Sequence, residues 1–214
     1  MRKVFEIGGL VAAVVLVAFG VAAIVVSVSG RDEVQTALKQ QKVAGTPDMS
    51  PAAIRAEVSK AGLNPSKLEL PTCTAANKSV NSGSTARCFA NYMRIHALVA
   101  SHGAVYSQMP RFASPTGAGT NNEAEALKSN GKALENPARN VWVTETALST
   151  ALNASYMGEQ LSLFGIMVGL ALLLSGIGFA VLTFAGALRN PETALGFVHK
   201  MHWGRHRPQA AGAH

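Results

Sequence analysis

Charged side chains are scarce in this sequence. Asp, Glu, Lys and Arg make up 14 % of its 214 residues, against about 25 % in ordinary soluble domains. The shortage is concentrated: no charged residue occurs from Ile7 to Val28, and none from Leu161 to Leu188. Aromatics are few, at 6 %. Outside the two uncharged runs the chain is rich in Ala, Ser, Thr, Asn and Gly, which leaves material for a modest core only. Cysteine is limited to Cys73 and Cys88, so no CxxC metal or redox motif is possible. The sequence also lacks GxSxG, HExxH, P-loop and GxGxxG signatures, which removes the common hydrolase, metalloprotease and nucleotide-binding readings.

The two uncharged runs are the strongest positive signal. Ile7–Val28 makes roughly 33 Å of helix at about 1.5 Å per residue, enough for a bilayer core of about 30 Å. Leu161–Leu188 is longer and can tilt or project by a turn. Soluble core helices rarely hold such lengths without a charge. The first run has a basic start, Arg2 and Lys3, and small residues at Ser27 and Ser29 that would suit signal cleavage. Signal h-regions, however, span only about 7–15 apolar residues, so an uncleaved anchor is the expectation.

Orientation follows from the short flanks. Arg2 and Lys3 precede the first run; Arg189, Lys200, Arg205 and Arg207 follow the second. Both ends are therefore expected in the cytoplasm at the plasma membrane. The predicted order is a cytoplasmic N-terminus (1–6), a first span (7–28), an extracytoplasmic domain (29–160), a second span (161–188) and a basic cytoplasmic tail (189–214). The net charge of +7 follows this topology and forms no DNA-sized patch, so nucleic acid is not an expected partner. The expected partners are the lipid bilayer and either a protein or a second copy, met through the membrane helices. Gly165 and Gly169 form a GxxxG pattern, and Gly8, Gly9, Ala12 and Ala13 offer a small face on the first run. Such faces let helix backbones approach closely, either between copies or between the two spans of one chain, the second being preferred.

The fold class expected is mostly α: two transmembrane helices flanking a small, mainly helical extracytoplasmic domain with one disulfide. Cys73 and Cys88 enclose the turn-prone Asn81-Ser82-Gly83. Their even number and an oxidising compartment favour a bond between them over a reactive thiol or a metal pair. Arg31 to Val43 extends the first helix. Ser50-Pro51 opens a second helix with a hydroxyl cap and an N1 proline, and Gly62 suits its end. A third helix runs from about Ser84 to Ser101, with Phe89, Tyr92, His96 and Val99 on one stripe. Residues 113 to 136 read as a flexible loop. Asn136-Pro137 then opens a helix that continues into the second span.

Few residues offer chemistry. His96 lies on the apolar stripe and reads as a core or interface histidine; His102 does not share its helix face. Glu145 and Glu159 read as a solvated face. His199, His202 and His206 have i, i+3, i+7 spacing that suits a divalent metal, although a basic helix resting on anionic headgroups explains the same residues. Asn77-Lys78-Ser79 and Asn153-Ala154-Ser155 match the glycosylation pattern, which matters only on a eukaryotic secretory route. Neither catalytic nor cofactor-binding residues are expected, and no cofactor.

Several longer stretches carry a resemblance. They are Gly45-Thr46-Pro47-Asp48-Met49; Ala86-Arg87-Cys88-Phe89-Ala90 with Tyr92-Met93-Arg94-Ile95-His96-Ala97; Tyr106-Ser107-Gln108-Met109; and Asn136 through Leu148. Together they resemble a family of actinobacterial two-span membrane proteins often labelled aromatic ring-opening dioxygenase (LigA-like). The resemblance covers most of the chain outside the 113–135 loop and the tail. It implies the membrane architecture and not the catalysis. The dioxygenase is soluble, and its iron needs two histidines and a carboxylate, a set this chain does not offer on one side of a membrane. The expectation is a non-enzymatic envelope scaffold or accessory subunit, with Phe89, Tyr92, Met93, His96 and Trp142 as partner contacts. The alternatives are a ligand-sensing membrane protein and, remotely, an enzyme of the labelled type.

Overall fold

The computed structural model describes residues 2–185; the tail histidines His199, His202 and His206 lie outside the described residues. Four α-helices organise these residues: α1 (Arg2–Gln40), α2 (Pro51–Lys60), α3 (Gly83–Ala100) and α4 (Pro137–Phe184). Short 3-10 turns cover Pro65–Lys67 and Tyr106–Gln108, and a small hairpin joins β1 (Lys128–Ser129) to β2 (Lys132–Ala133). The chain divides into two compact units. One contains residues up to Val28 and those from Leu163 on; the other is Ser29–Ser162.

In the first unit, α1 and α4 meet along a seam of small residues. A methyl group at Gly169 would lie 2.7 Å from Ile24 Cγ1 and 2.8 Å from the Gly20 carbonyl. One at Gly176 would lie 2.8 Å from Val17 Cγ2 and 3.0 Å from the Ala13 carbonyl. A methyl group at Gly165 would overlap the Ser27 side chain. Absent side chains therefore bring the backbones together, and the close contact gains dispersion energy. Of the small face expected on α1, Ala13 lies in the seam and Gly9 is buried one turn before it, whereas Gly8 faces open space. The seam continues through Val17, Gly20, Ile24 and Ser27; steps of three and four residues keep these contacts on one side of the helix, and Gly8 is off that register.

The outer flanks of both helices are apolar and exposed. Phe19, Val26, Phe164 and Met167 project outward, and only 17 % and 11 % of the most apolar windows of α1 and α4 are buried. Both helices are long and apolar enough to cross a membrane.

The second unit is a helical core built on α3. Its start is held by a capping box. Ser82 Oγ accepts from the Thr85 N–H at 3.3 Å, and Thr85 Oγ1 accepts from the Ser82 N–H at 3.0 Å. Ser82→Ala leaves the Thr85 amide without that acceptor and is expected to cost about 1 kcal/mol, read as a lower denaturation midpoint of the full chain in detergent. Along α3, Ala86, Phe89, Tyr92 and Ile95 turn inward and pack with Ile54 and Val58 of α2 and Trp142 and Leu152 of α4. Ser50 caps α2 through the Ala53 N–H at 3.4 Å, with Pro51 at its first turn, and Gly62 reverses the chain at φ 75°. The Cys73–Cys88 disulfide ties the segment before α3 to the helix itself.

Within residues 113 to 136, most of which is expected as a flexible loop, the chain forms defined turns and a short hairpin. Asn130 and Gly131 both take positive φ, 49° and 76°, the pairing that an Asn-Gly hairpin turn requires. The Ala113 N–H donates to the Leu134 carbonyl and the Leu127 N–H to the Ala113 carbonyl, each at 2.9 Å. Backbone groups thus find partners here despite the polar composition. The Asn-Gly pair was the available signal; the strands it joins are too short to show alternation.

Candidate functional site

Two polar constellations and one cavity stand out in the helical unit. The first centres on Glu159, expected on a solvated face of α4. It is instead 4 % exposed. Its Oε1 accepts from Arg31 Nε at 3.0 Å and from Gln35 Nε2 at 2.9 Å, and its Oε2 accepts from the Gly83 N–H at 2.6 Å. One carboxylate therefore joins α1, α4 and the N-terminus of α3, where a negative charge also meets the positive end of the helix dipole. Burial pushes this carboxyl up, but the hydrogen bonds from Gln35, Arg31 and Gly83 outweigh it and hold it below its ordinary value. Gly83 is required here: an added methyl group would lie 2.8 Å from Glu159 Oε2 and from the Tyr156 Cα.

Glu145, likewise expected in solvent, is 5 % exposed and accepts from Ser149 Oγ at 2.7 Å. Packing of α4 against α3 turns both acids inward. Neither position shows this in the sequence, because the apolar stripe of α4 is interrupted by Ser, Thr and Asn.

The second constellation brings Asp48, Glu57 and His96 together. They come from the turn before α2, from α2 and from α3. His96 Nδ1 stands 3.1 Å from Glu57 Oε1, and His96 Nε2 stands 3.8 Å from Asp48 Oδ2. Their side chains are 20 %, 31 % and 50 % exposed for His96, Glu57 and Asp48. The first contact is a hydrogen bond; the second is too long for one. The Thr46 hydroxyl, with the backbone and His96 adding to it, lowers the Asp48 carboxyl despite some burial. Sequence reasoning selected His96 and missed both acids. No spacing links positions 48, 57 and 96; the packing of α2 on α3 alone brings them into reach.

The remaining positions expected as partner contacts divide. Phe89, Tyr92 and Trp142 are buried in the chain's own core, at 7 %, 0 % and 4 % exposure. A partner would reach them only if the domain opened. Their polar atoms are also engaged: Tyr92 Oη donates to the Cys73 carbonyl at 2.6 Å, and Trp142 Nε1 donates to the Ala104 carbonyl at 3.0 Å and Ser101 Oγ at 3.1 Å. Aromatic residues at helical spacing mark a core as readily as an interface, and here they form the core. Met93 remains half-buried at its edge.

Beside α3 lies a cavity of about 600 Å³, bounded by Lys67–Thr72 and by Arg87, Asn91 and Arg94. The three α3 residues fall at i, i+4, i+7 and share a face. Arg87 stacks on Tyr156 at 4.6 Å and Arg94 lies 5.6 Å from the Trp142 ring. Both guanidinium groups are thus placed by aromatic faces, and neither forms an ion pair with a carboxylate among the described residues. No protein-family model, curated protein or solved structure matches this chain.

Proposed function

We propose that this chain is an integral membrane protein with two spans, whose helical domain serves as a non-enzymatic scaffold or accessory subunit on the extracytoplasmic side. The observation that carries the reading is the exposed apolar surface of α1 and α4. Soluble core helices bury such surface; here less than one-fifth of each apolar window is buried. In water this would cost about 25 cal/mol for every Å² exposed, a penalty that lipid removes. The scaffold role is supported by where the reactive side chains go. Glu159 spends its oxygens joining three helices, and Tyr92 and Trp142 spend their polar atoms tying α3 and α4 to the segments at Cys73 and Ala104. The basic flanks favour cytoplasmic termini at the plasma membrane, and the likeness to actinobacterial two-span membrane proteins agrees with that arrangement.

The full-length chain is expected to sediment with membranes at high speed and to resist alkaline carbonate, leaving only with detergent. A protease site placed in the exposed 121–125 turn should be cut in intact spheroplasts. Crosslinking followed by purification in mild detergent should return one stoichiometric partner, or a second copy. Recovery of the intact chain in the detergent-free supernatant would defeat the membrane reading.

A second reading, ligand sensing, is favoured by the cavity lined by Arg87, Asn91 and Arg94. Its size and its two guanidinium groups suit a small anionic molecule. A rise in melting temperature with a small carboxylate or phosphate ester, without any partner, would distinguish it.

A further inference from the structure

We propose that Asp48, Glu57 and His96 form a binding site for a divalent transition-metal ion of the zinc class. Each residue offers one ligand atom, and these three atoms lie within 4.8 Å of one another. Ligands of one such ion stand about 2.0–2.2 Å from it, and hence roughly 3.0–3.5 Å from each other. The Glu57 and His96 pair, at 3.1 Å, already has that spacing. Asp48 Oδ2 faces the other ring nitrogen, 3.8 Å from Nε2, so this half-exposed side chain must change rotamer to bring a carboxylate oxygen to the Nδ1 side, where Glu57 stands.

The donor set selects the class of metal. One imidazole nitrogen and two carboxylate oxygens suit zinc, manganese or cobalt; copper(I) prefers sulfur. Both cysteines are committed to the Cys73–Cys88 disulfide, so thiolate does not compete. Three protein ligands leave positions for water, and the partial exposure of the cluster provides the entry path.

The site spans three elements, and this sets its consequence. An ion held by Asp48, Glu57 and His96 crosslinks the turn at 46–50, α2 and α3. It binds the folded domain and not the open chain, so occupancy raises thermal stability.

The test uses the full-length chain in detergent, carrying alanine at His199, His202, His206 and His214 so that no tail histidine can bind metal. Zinc chloride titrated calorimetrically is expected to bind with one-to-one stoichiometry and to raise the melting temperature. Cobalt(II) should give a visible ligand-field band at the same stoichiometry. His96→Ala should weaken binding by about 100-fold or more, and Asp48→Asn and Glu57→Gln by at least about 10-fold each. Asp48 is half exposed, so its variant keeps the question open to measurement if His96→Ala fails to fold. Two results would overturn the proposal. One is the absence of any zinc-dependent heat or melting shift up to millimolar metal. The other is zinc binding that persists unchanged in Asp48→Asn and His96→Ala, which would place the metal elsewhere.

Discussion

Glu159→Ala is expected to lower the unfolding free energy of the helical domain by about 3 kcal/mol. Hydrogen bonds to a charged group contribute about 1.5–3 kcal/mol each, and breaking a buried pair costs about 3–5 kcal/mol. The Arg31 side chain is 42 % exposed, so it regains water when the acid is removed, which places the effect at the lower end of that range. The Gly83 N–H has no such escape. It is buried at a helix start, and its acceptor disappears with the carboxylate. A denaturant melt of the full-length protein in detergent measures the loss.

The same residue sets an acid limit. The Glu159 carboxyl titrates lower in the folded protein than in the open chain, so the unfolded state takes up a proton first as pH falls. Its stabilisation is complete above the ordinary carboxylate value of 4.5 and disappears as pH drops through the lowered folded value. Asp48, also lowered, adds to the same limb from its ordinary value of 3.8. Melting temperature should therefore fall below about pH 4.5. In Glu159→Gln the fall should be shallower, because one of the two titrating groups is gone. An unchanged acid slope in that variant would show that Glu159 is not held ionised by its partners.

Replacing both cysteines with serine should cost about 3 kcal/mol, the loop-entropy value for a closed segment of some 15 residues, the separation of Cys73 and Cys88. For a domain of this size that corresponds to a fall of about 10 °C in melting temperature. The size of the effect has a local reason. The segment from Lys67 to Val80 has no regular structure beyond its opening 3-10 turn. The disulfide and the Tyr92 hydrogen bond to the Cys73 carbonyl hold it against α3, and a backbone ladder ties residues 75–80 to residues 43–49 between α1 and α2. Gly45 itself is pressed so close to the Ala75 carbonyl that no side chain fits. A dithiothreitol-dependent shift in melting temperature, absent from the double serine variant, checks the assignment. Equal stability of the two forms would show that packing alone secures the segment.

The helix boundaries were legible because they depend on neighbours in the chain. Ser50-Pro51 and Asn136-Pro137 are local chemistry, in which a side-chain oxygen meets an amide two or three residues on; the Ser82 cap on Thr85 is the same chemistry, hidden in a stretch that reads as a turn. The hairpin at Asn130-Gly131 is equally local, but its strands are too short to stand out among the surrounding polar residues. The candidate metal site was not legible. Its histidine lies on a helix stripe that reads as core, and its two acids lie 39 and 48 positions away without a spacing that ties them to it. Phe89, Tyr92 and Trp142 were legible as important apolar positions. Whether an apolar stripe faces its own domain or a partner depends on what packs over it, which one strand of text does not contain.

Composition along the chain determined by itself that two segments are too apolar and too free of charge to be at ease in water, that helices would dominate, and that only one disulfide could form. Tertiary structure alone decided the fate of the polar groups. Glu159 became the knot of three helices, His96 came to lie between two acids, and Gly20 met Gly169 at backbone distance. The reason is range. Hydropathy and capping act over a few residues, whereas desolvation and charge pairing depend on which distant segments packing brings within a few ångströms of one another.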